Sequence, residues 1–264
     1  MLSAKSAQLR FQFGRNWLQY ANHLSGERIE SAKKSLMELL ETRDLEGKRF
    51  LDIGSGSGVF SLVARQLGAT VLSFDYDADS VTCTQAIKQK YRPDDTAWSV
   101  RQGSILDANL FRDLGEFDIV YAWGVLHHTG TMWTAMRNTC ELVAAGGLLV
   151  VSIYNDQGWL SRYWKGVKVA YNRYTWLRPV FIAIYTPYFV GLRFLVCSMT
   201  GRRRLERGMS LWYDMIDWLG GFPFEVAKPG EVVDYYHQRG FQLIRMTTCG
   251  GRSGCNEFVF EKRG

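Results

Sequence analysis

The spacing of hydrophobic positions changes several times along the chain, and these changes divide it into predicted elements. Over residues 1–45 apolar side chains recur at about helical spacing, which predicts helices with a break at Ser25-Gly26. Beyond residue 48 short apolar runs alternate with amphipathic stretches. The runs predict strands at 49–53, 70–74, 97–102, 117–123 and 148–153, and the stretches between them predict helices at 59–67, 78–90 and 131–143, the last stopped by Gly146-Gly147.

The alternation is interrupted after the fifth predicted strand and resumes near the end of the chain. Residues 156–220 are rich in Trp, Tyr, Phe and Arg, and they are followed by a predicted helix and two strands close enough for an antiparallel hairpin. Strands alternating with helices predict an α/β fold with a mostly parallel sheet and helices on both faces. The predicted domains are an N-terminal helical cover at 1–45 and one domain at 46–264 that carries a helical, aromatic-rich insertion at 156–220.

Composition agrees with this organisation and narrows the function only slightly. The 264 residues suffice for one α/β domain with an insertion, and the net charge of +6 permits a nucleic-acid or anionic membrane partner without requiring one. The five cysteines form no CxxC pair and adjacent His127 and His128 have no nearby carboxylate, so no metal site is predicted. The cysteines are expected to be reduced thiols of a cytoplasmic protein, and the N-terminus has no continuous apolar run of the kind a signal peptide requires.

The most informative motif is a glycine-rich turn, Gly54-Ser55-Gly56-Ser57-Gly58, between the first strand and the next helix. Glycines let the backbone turn tightly and approach a ligand, and the helix N-terminus offers N–H groups to a carboxylate. Asp52 precedes the turn, where a buried carboxylate would repel phosphate and suits a cationic ligand. Val59 stands where a GxGxxG dinucleotide motif would have its last glycine, which argues against a nicotinamide cofactor.

The ends of the second and third strands carry residues that suit a nucleoside. Asp75 ends the second strand, where a carboxylate can accept hydrogen bonds from both ribose hydroxyls; a helix N-cap is its alternative role. Ser104 and Ile105 follow the third strand, where they could bond and cover an adenine ring; turn formation is the alternative for Ser104. Because ligands bind at the carboxyl ends of parallel strands, these residues predict one cleft.

Taken in order, these motifs resemble those of class I S-adenosylmethionine (SAM)-dependent methyltransferases. The segments LDIGSGSG, FDYD, GSI, FDIVYAWGVLHHTG and AAGGLLVVSIY carry the resemblance over residues 50–153, and it resumes at 241–261. Within the class the chain is similar to the UbiG-like methyltransferases, which include O-methyltransferases of quinone biosynthesis. The resemblance implies SAM as the cofactor and a Rossmann-like seven-stranded sheet of order 3-2-1-4-5-7-6 with strand seven antiparallel.

The resemblance also assigns parts of the cofactor to positions of this chain. It implies that Asp52, Gly54, Gly56 and Gly58 hold the methionine part, Asp75 the ribose, and Ser104 and Ile105 the adenine. Neighbouring positions complete the predicted cofactor site, namely Ser55, Tyr76 and Trp123.

The fourth strand leads into the predicted reaction centre. Either His127 or His128 could act as a general base, because an ordinary histidine pKa suits proton removal near neutrality. The alternative is that one histidine orients the loop and the other packs on the cofactor. Methyl transfer otherwise needs mainly positioning of the two reactants.

Polar residues of the insertion and an N-terminal aromatic are predicted to surround the acceptor. Asn155 and Asp156 directly follow the fifth strand, although a simple turn there is an equal alternative. Asp214 and Asp217 share a helix face, pointing either into the cleft or to solvent. The predicted acceptor-binding residues are Trp17, Asn155, Asp156, Tyr213, Asp214 and Asp217.

An apolar stretch at 180–200 is interrupted by Pro187 and Arg193 and followed by Arg202-Arg203-Arg204. The interruptions argue against a membrane span. Residues 176–204 therefore form either a helical lid or dimer surface buried in protein, or a peripheral membrane contact with aromatics in the interface and arginines on headgroups.

The sequence thus predicts a methyltransferase that acts on a small or lipophilic acceptor, with oxygen as the favoured target atom. Alternatives are an RNA-modifying enzyme, transfer to nitrogen or a thiol, an inactive partner subunit and, most remotely, an NAD(P)-dependent oxidoreductase. Nucleic acid is not favoured as a partner, and the oligomeric state is left open.

Overall fold

A computed structural model describes residues 9–14, 17, 24–109, 114–187, 189 and 211–264, without the side chains of residues 211, 213 and 214. Its strands are β1 (Arg49–Ile53), β2 (Thr70–Asp75), β3 (Trp98–Gln102), β4 (Phe117–Trp123), β5 (Val143–Tyr154), β6 (Phe241–Thr247) and β7 (Cys255–Lys262). Its α-helices are α1 (Gly26–Leu40), α2 (Val59–Gln66), α3 (Ala78–Tyr91), α4 (Met132–Leu142), α5 (Trp159–Arg173), α6 (Arg178–Thr186), α7 (Leu211–Gly220) and α8 (Pro229–His237), with 3₁₀ turns at Leu126–His128 and Thr175–Leu177.

All seven strands form one sheet with the order β3-β2-β1-β4-β5-β7-β6, which confirms the predicted topology. The pairs β1–β2, β1–β4, β2–β3 and β4–β5 are parallel, and β7 is antiparallel to both of its neighbours. The strand order reverses between β1 and β4. In open α/β sheets the crevice at the carboxyl ends of the strands beside this reversal is where ligands bind.

Two clusters of buried apolar residues cover the two faces of the sheet. One face joins Leu51, Ala122 and Phe260 of the strands to α4 and α8, and the other joins Phe50 and Tyr121 to α1, α2 and α3. The central strands β1, β4 and β5 are mostly buried on both faces, which explains why they stand out in the sequence as short, continuously apolar runs, whereas the edge strands β3 and β6 are partly exposed.

The insertion has a small core of its own. Helices α5 and α7 pack together through six buried residues, Trp164, Val167, Tyr171, Met215, Leu219 and Phe224. Residues 188 and 190–210 lie outside the described part of the chain. Across the described ranges, no helix combines the length and apolar character that a membrane crossing requires.

The prediction that Gly146-Gly147 stops a helix is wrong. Helix α4 already ends at Leu142, and β5 begins at the next residue. Phe117 pairs with Val143 but Ile119 pairs with Leu148, so β5 carries extra residues in a bulge. Gly146 has a φ of +72°, so the glycine serves the bulge within the strand.

Candidate functional site

The glycine-rich turn lies at the carboxyl end of β1 and is hydrogen-bonded to the end of β2. Gly54 N–H donates to the carbonyl of Phe74 at 2.8 Å. Gly54, Gly56 and Gly58 have φ values of +71°, +54° and +77°, in the left-handed region that side chains disfavour. A Cβ at Gly58 would also lie 2.9 Å from the Cα of Thr84. Backbone conformation and packing against α3 therefore require glycine here, in addition to any ligand.

Asp75 joins this turn to the end of β2. Its Oδ2 accepts from Gly56 N–H at 3.0 Å and its Oδ1 from Asp77 N–H at 2.9 Å. Burial raises the pKa of Asp75 to about 6, so the carboxylate is mostly ionised at neutral pH. Each oxygen keeps a further lone pair with which it could accept a ribose hydroxyl. The N-cap of α3 is Asp77, so the alternative role considered for Asp75 belongs to its neighbour.

Asp52 lies beneath the turn, at the first turn of α2. Its Oδ2 accepts from the Ser61 hydroxyl at 2.5 Å, and that hydroxyl lies 2.6 Å from the hydroxyl of Ser73. Burial raises the pKa of Asp52 to about 7. The carboxylate therefore changes charge near neutrality, and a cationic neighbour would favour its ionised form. Its contact with a ligand ammonium stays a prediction.

The end of β3 supports a turn as well as a ligand surface. The Ser104 hydroxyl accepts from Leu106 N–H at 3.2 Å, as expected of a turn former. Ile105 is buried in the core, and its carbonyl accepts from the Asn138 side chain at 2.8 Å. The backbone at this position is thus fixed by α4, while the roles of both residues toward adenine stay predictions.

The two aromatic residues assigned to the cofactor site have different surroundings. Tyr76 is exposed, and the guanidinium of Arg10 lies 4.5 Å from its ring centroid. Trp123 is half-buried, and its indole N–H donates to Glu257 of β7 at 3.1 Å. Tyr76 is therefore exposed at the rim of the cleft, where a ligand could contact it. The indole N–H of Trp123 is instead used in a hydrogen bond to another strand of the sheet.

Residues 9–14, here called the N-terminal strap, bridge the mouth of the cleft. Gly14 N–H donates to the Asp77 carboxylate at 3.0 Å at the end of β2. Phe11 N–H donates to the carbonyl of Phe222 at 3.0 Å, on the turn that follows α7. Further along, the indole nitrogen of Trp17 would lie 3.2 Å from a Cβ placed on Gly56. Trp17 therefore lies against the cofactor turn, although the sequence analysis grouped it with the acceptor residues.

The two histidines differ in a way that the sequence could not show. His127 is fully buried, its ring centroid is 4.0 Å from that of Tyr154, and burial holds its pKa well below the ordinary value. His128 Nδ1 lies 2.7 Å from the carbonyl oxygen of Pro223. A carbonyl only accepts, so Nδ1 carries the hydrogen and Nε2 keeps its lone pair. Burial lowers the pKa of His128 to about 3, which keeps the ring neutral at physiological pH.

Open space lies beside the backbone at the end of β4. Gly124 follows the strand directly with a φ of +76°, and a Cβ placed on it would meet no described atom within 4 Å. A reacting group could therefore approach the backbone between the cofactor turn and the histidine pair.

Asn155 and Asp156 are engaged in the turn after β5. Asn155 Oδ1 accepts from the Asn256 side chain at 3.1 Å, and its Nδ2 donates to the carbonyl of Arg252. Asp156 Oδ1 accepts from Gly158 N–H at 2.8 Å, just before α5. The alternative of a turn accounts for these bonds, and acceptor binding by either residue stays a prediction.

Lys168 is a buried residue near the reaction centre that the sequence analysis did not select. Its ammonium donates to the carbonyl of Trp218 and lies 4.7 Å from that residue's ring and 4.8 Å from the ring of Phe224. Burial lowers its pKa to about 7, against the attraction of Asp217. The side chains of Tyr213 and Asp214, which were predicted to bind the acceptor, lie outside the described residues.

No metal centre emerges from this geometry. Within the ranges that the structure describes, no three His, Cys, Asp or Glu side chains are grouped closely enough to hold an ion.

Comparison with known proteins agrees with the fold and the cleft. A family model described as "Methyltransferase domain" matches residues 24–187, more than half of the chain. The chain is 29% identical over 116 residues to a ubiquinone biosynthesis O-methyltransferase of Caulobacter sp., covering 42% of each protein. It is 31% identical over 113 residues to the protein of that name from Brucella ovis, covering 43% of this chain and 44% of the relative. The match thus spans less than half the length of these relatives.

Solved structures with the same fold include two methyltransferases of other substrate classes. Magnesium protoporphyrin IX methyltransferase from Synechocystis PCC 6803 with bound SAH (S-adenosylhomocysteine) has a TM-score of 0.53 and 15% identity over 89% of this chain and 83% of that chain. N-methyltransferase NodS from Bradyrhizobium japonicum WM9 has a TM-score of 0.51 and 15% identity over 91% and 99% of the two chains. At such identities the likeness shows the fold alone.

Proposed function

This chain belongs to the methyltransferase-domain family, and from that premise we propose that it transfers a methyl group from SAM to a small or lipophilic acceptor, with oxygen as the favoured target atom. One observation carries the proposal. Gly56 N–H of the glycine-rich turn donates a hydrogen bond to the carboxylate of Asp75, beside the point where the strand order reverses. The similarity to relatives named as O-methyltransferases supports oxygen.

The residues present fit this cofactor. Asp75 retains lone pairs for a ribose diol, and the buried Asp52 gives the cleft a second acidic group for an ammonium. The turn Gly54–Gly58 would hold the amino-acid part of SAM, and Ser104 and Ile105 would contact its adenine ring. When bound, SAM supplies an electrophilic methyl group carried on a sulfonium. An acidic half-cleft suits such a cationic ligand better than a dinucleotide phosphate.

We assign the proton transfer to His128. Its Nδ1–H is held by the carbonyl of Pro223, so the lone pair on Nε2 would accept the proton of an acceptor hydroxyl placed beside it, while bound SAM would supply the methyl group and leave as SAH. His127 is enclosed against Tyr154 and packs behind it. The ring of His128 is neutral before the reaction because its pKa lies near 3, and so low a pKa makes it a weak base, so the proton transfer would accompany the attack and not precede it.

The location that fits this function is the cytoplasm, with peripheral contact between residues 176–204 and the inner face of a membrane. The described part of that segment exposes Trp176, Val180 and Ile184. A lipophilic acceptor would be met at such a surface.

Calorimetric titration with SAM and SAH tests the cofactor assignment. We expect Asp75→Ala to weaken both ligands by about 100-fold or more, because it removes a charged acceptor of two hydrogen bonds and the anchor of Gly56. Asp94→Ala, an exposed carboxylate remote from the motifs, is the matched control and leaves affinity unchanged. Absence of binding by the wild type, or equal affinity in Asp75→Ala, would refute the proposal.

Isotopically labelled SAM then identifies the acceptor. A panel of phenols, catechols and quinols with and without apolar tails is offered to the protein, together with amines and thiols. Label transferred to hydroxyl oxygen supports the favoured atom, and label found only on nitrogen or sulfur overturns that part of the proposal.

A further inference from the structure

The positive charge of this protein is concentrated in one stretch of the insertion. Residues 157–205 contain nine of the 32 Lys and Arg residues and none of the 26 Asp and Glu residues. The remainder of the chain, with 23 basic and 26 acidic residues, is slightly acidic. The basic character of the whole protein therefore originates in this stretch, which includes α5 and α6.

Helix α5 divides its residues between two faces. Trp164, Val167 and Lys168 point into the core that α5 forms with α7, as their burial shows. Trp159, Arg162 and Tyr163 are spaced by three and four positions, share the opposite face and are exposed. The outer face thus presents aromatic and cationic side chains to the surroundings.

The apolar surface continues beyond α5. Trp176 in the following 3₁₀ turn is 74% exposed, and Val180 and Ile184, one helical turn apart on α6, are 51% and 61% exposed. Tyr163 of α5 and Tyr185 of α6 join their hydroxyls at 2.5 Å, which links the two helices. The two helices that carry these exposed residues are therefore in contact.

We propose that this surface, here called the aromatic–basic face, docks onto an anionic lipid bilayer. It consists of Trp159, Arg162, Tyr163, Arg173, Trp176, Val180 and Ile184. Tryptophan and tyrosine favour the bilayer interface, aliphatic side chains favour the acyl region and cations favour anionic headgroups. The phosphates of a nucleic acid could pair with the cations, and its bases could stack on the aromatic rings. A nucleic acid has no apolar region in which the exposed valine and isoleucine could be buried, so a bilayer fits the whole face better.

The face lies one helix away from the reaction centre. Tyr154, whose ring contacts His127, ends β5, and α5 begins five residues later. The inner side of α5 carries Lys168 beside the same aromatic cluster. Docking would thus bring the cleft to the membrane interface, where a lipid-dissolved acceptor is concentrated. Lipid binding by this face makes specific the membrane contact of the proposed function, and the delivery of an acceptor to the cleft rests on the proposed methyl transfer as well.

Vesicle co-sedimentation of the full chain tests the face. We expect binding to vesicles of phosphatidylcholine with 30% phosphatidylglycerol to exceed binding to pure phosphatidylcholine by about tenfold or more, and to weaken at high salt. Arg162→Gln with Arg173→Gln, and separately Trp159→Ser with Trp176→Ser, should each weaken it by about tenfold. All substituted side chains are exposed, so folding is expected to be retained.

The matched controls make the same kinds of substitution at exposed positions outside the aromatic–basic face. Lys34→Gln with Lys90→Gln removes the same charge from exposed positions of α1 and α3, and Trp133→Ser removes an exposed indole from α4. Both should bind vesicles as the wild type does. SAM titration of every variant separates the two proposals, because loss of vesicle binding with unchanged SAM affinity concerns the face alone.

Several outcomes would overturn the proposal. They are equal binding to neutral and anionic vesicles, no vesicle binding, or equal losses in the control variants. An RNA oligonucleotide that binds more tightly than the vesicles through the same residues would make the face a nucleic-acid site. A dimer in light scattering that Trp159→Ser with Trp176→Ser converts to monomer would make it a self-association surface.

Discussion

The two halves of the cleft are assembled over very different distances along the chain. At the ends of β1 and β2, Asp52 meets Ser61 nine residues away and Gly56 meets Asp75 nineteen residues away. At the ends of β4 and β5, His128 meets Pro223 across 95 residues, and Lys168 bonds Trp218 across 50. The cofactor half is therefore a local motif, whereas the acceptor half forms only when the insertion folds onto the sheet.

The halves also differ in the charge that they bury. The cofactor half holds two acids, Asp52 and Asp75, and burial raises the pKa of both. The acceptor half holds three bases, His127, His128 and Lys168, and burial lowers the pKa of each. An acidic pocket for a cation thus adjoins bases that burial keeps largely neutral, and because the same burial weakens them as bases, proton removal would depend on how closely His128 is positioned to the acceptor.

The largest expected effect concerns the base of the acceptor half. His128→Ala should lower kcat by about 10²- to 10⁴-fold with an acceptor hydroxyl, because the hydroxyl would lose the base proposed to take its proton. SAM affinity should change little, since the cofactor half stays intact. Because the pKa of His128 lies near 3, kcat of the wild type at saturating SAM should show no acid limb from this histidine between pH 6 and 8, whereas Asp52 and Asp75, whose pKa values lie near 7 and 6, titrate in the free protein.

His237→Ala is the matched control, because that histidine is exposed on the last turn of α8. Initial rates with labelled SAM across this pH range measure both variants. A rate for His128→Ala within threefold of the wild type, or an acid limb near pH 6.5, would show that the base lies elsewhere.

The contrast between the halves explains what could be predicted from sequence. The strand order, the glycine turn and Asp75 were predictable because each depends on neighbouring residues or on the resemblance that those residues carry. The tautomer of His128 was not, because it depends on a carbonyl from a distant turn. The bulge at Gly146 was also missed, since a glycine pair can stop a helix or kink a strand and local pattern does not decide between them.

Lys168 is the instructive omission. It occupies an apolar helical face with Trp164, Val167 and Tyr171, at spacings of one, three and four residues, and this pattern places it inward. The periodicity of the segment therefore predicts a buried lysine, which its basic composition alone does not. A lysine on the apolar side of an amphipathic helix is predicted to be a buried titratable group.

Substitution of Lys168 should change the pH dependence of stability. The pKa of Lys168 falls from 10.5 in the unfolded chain to about 7, so the unfolded state binds the proton more strongly between these values and wild-type stability rises with pH. Lys168→Met should therefore raise the free energy of unfolding by about 1–3 kcal/mol at pH 6.5, after loss of the bond to Trp218, and by less at pH 9.5.

Urea unfolding at both pH values measures this gain. Lys165→Met, an exposed position of the same helix, should show no pH-dependent difference. A gain for Lys168→Met that grows with pH, or a loss at pH 6.5, would mean that the ammonium is stabilised where it lies.

The smallest expected effect concerns Asp52 in the cofactor half, where the contribution to stability changes with pH in the opposite direction to that of Lys168. The pKa of Asp52 rises from 3.8 to about 7, so the folded state binds the proton more strongly and wild-type stability falls as pH rises between these values. Asp52→Asn keeps an oxygen that accepts from Ser61 and cannot ionise. We expect it to be about neutral at pH 5 and to gain about 1–2 kcal/mol at pH 8, measured by urea unfolding with Asp94→Asn as control.

Cofactor binding links this last effect to the proposed site. If an ammonium lies near Asp52, it favours the ionised carboxylate, and the wild type should release a fraction of a proton when SAM binds at pH 7. Calorimetry in two buffers of different ionisation enthalpy measures that release, which Asp52→Asn should abolish. Equal proton release in the two proteins would place the ammonium away from Asp52, and the carboxylate would then serve only the first turn of α2.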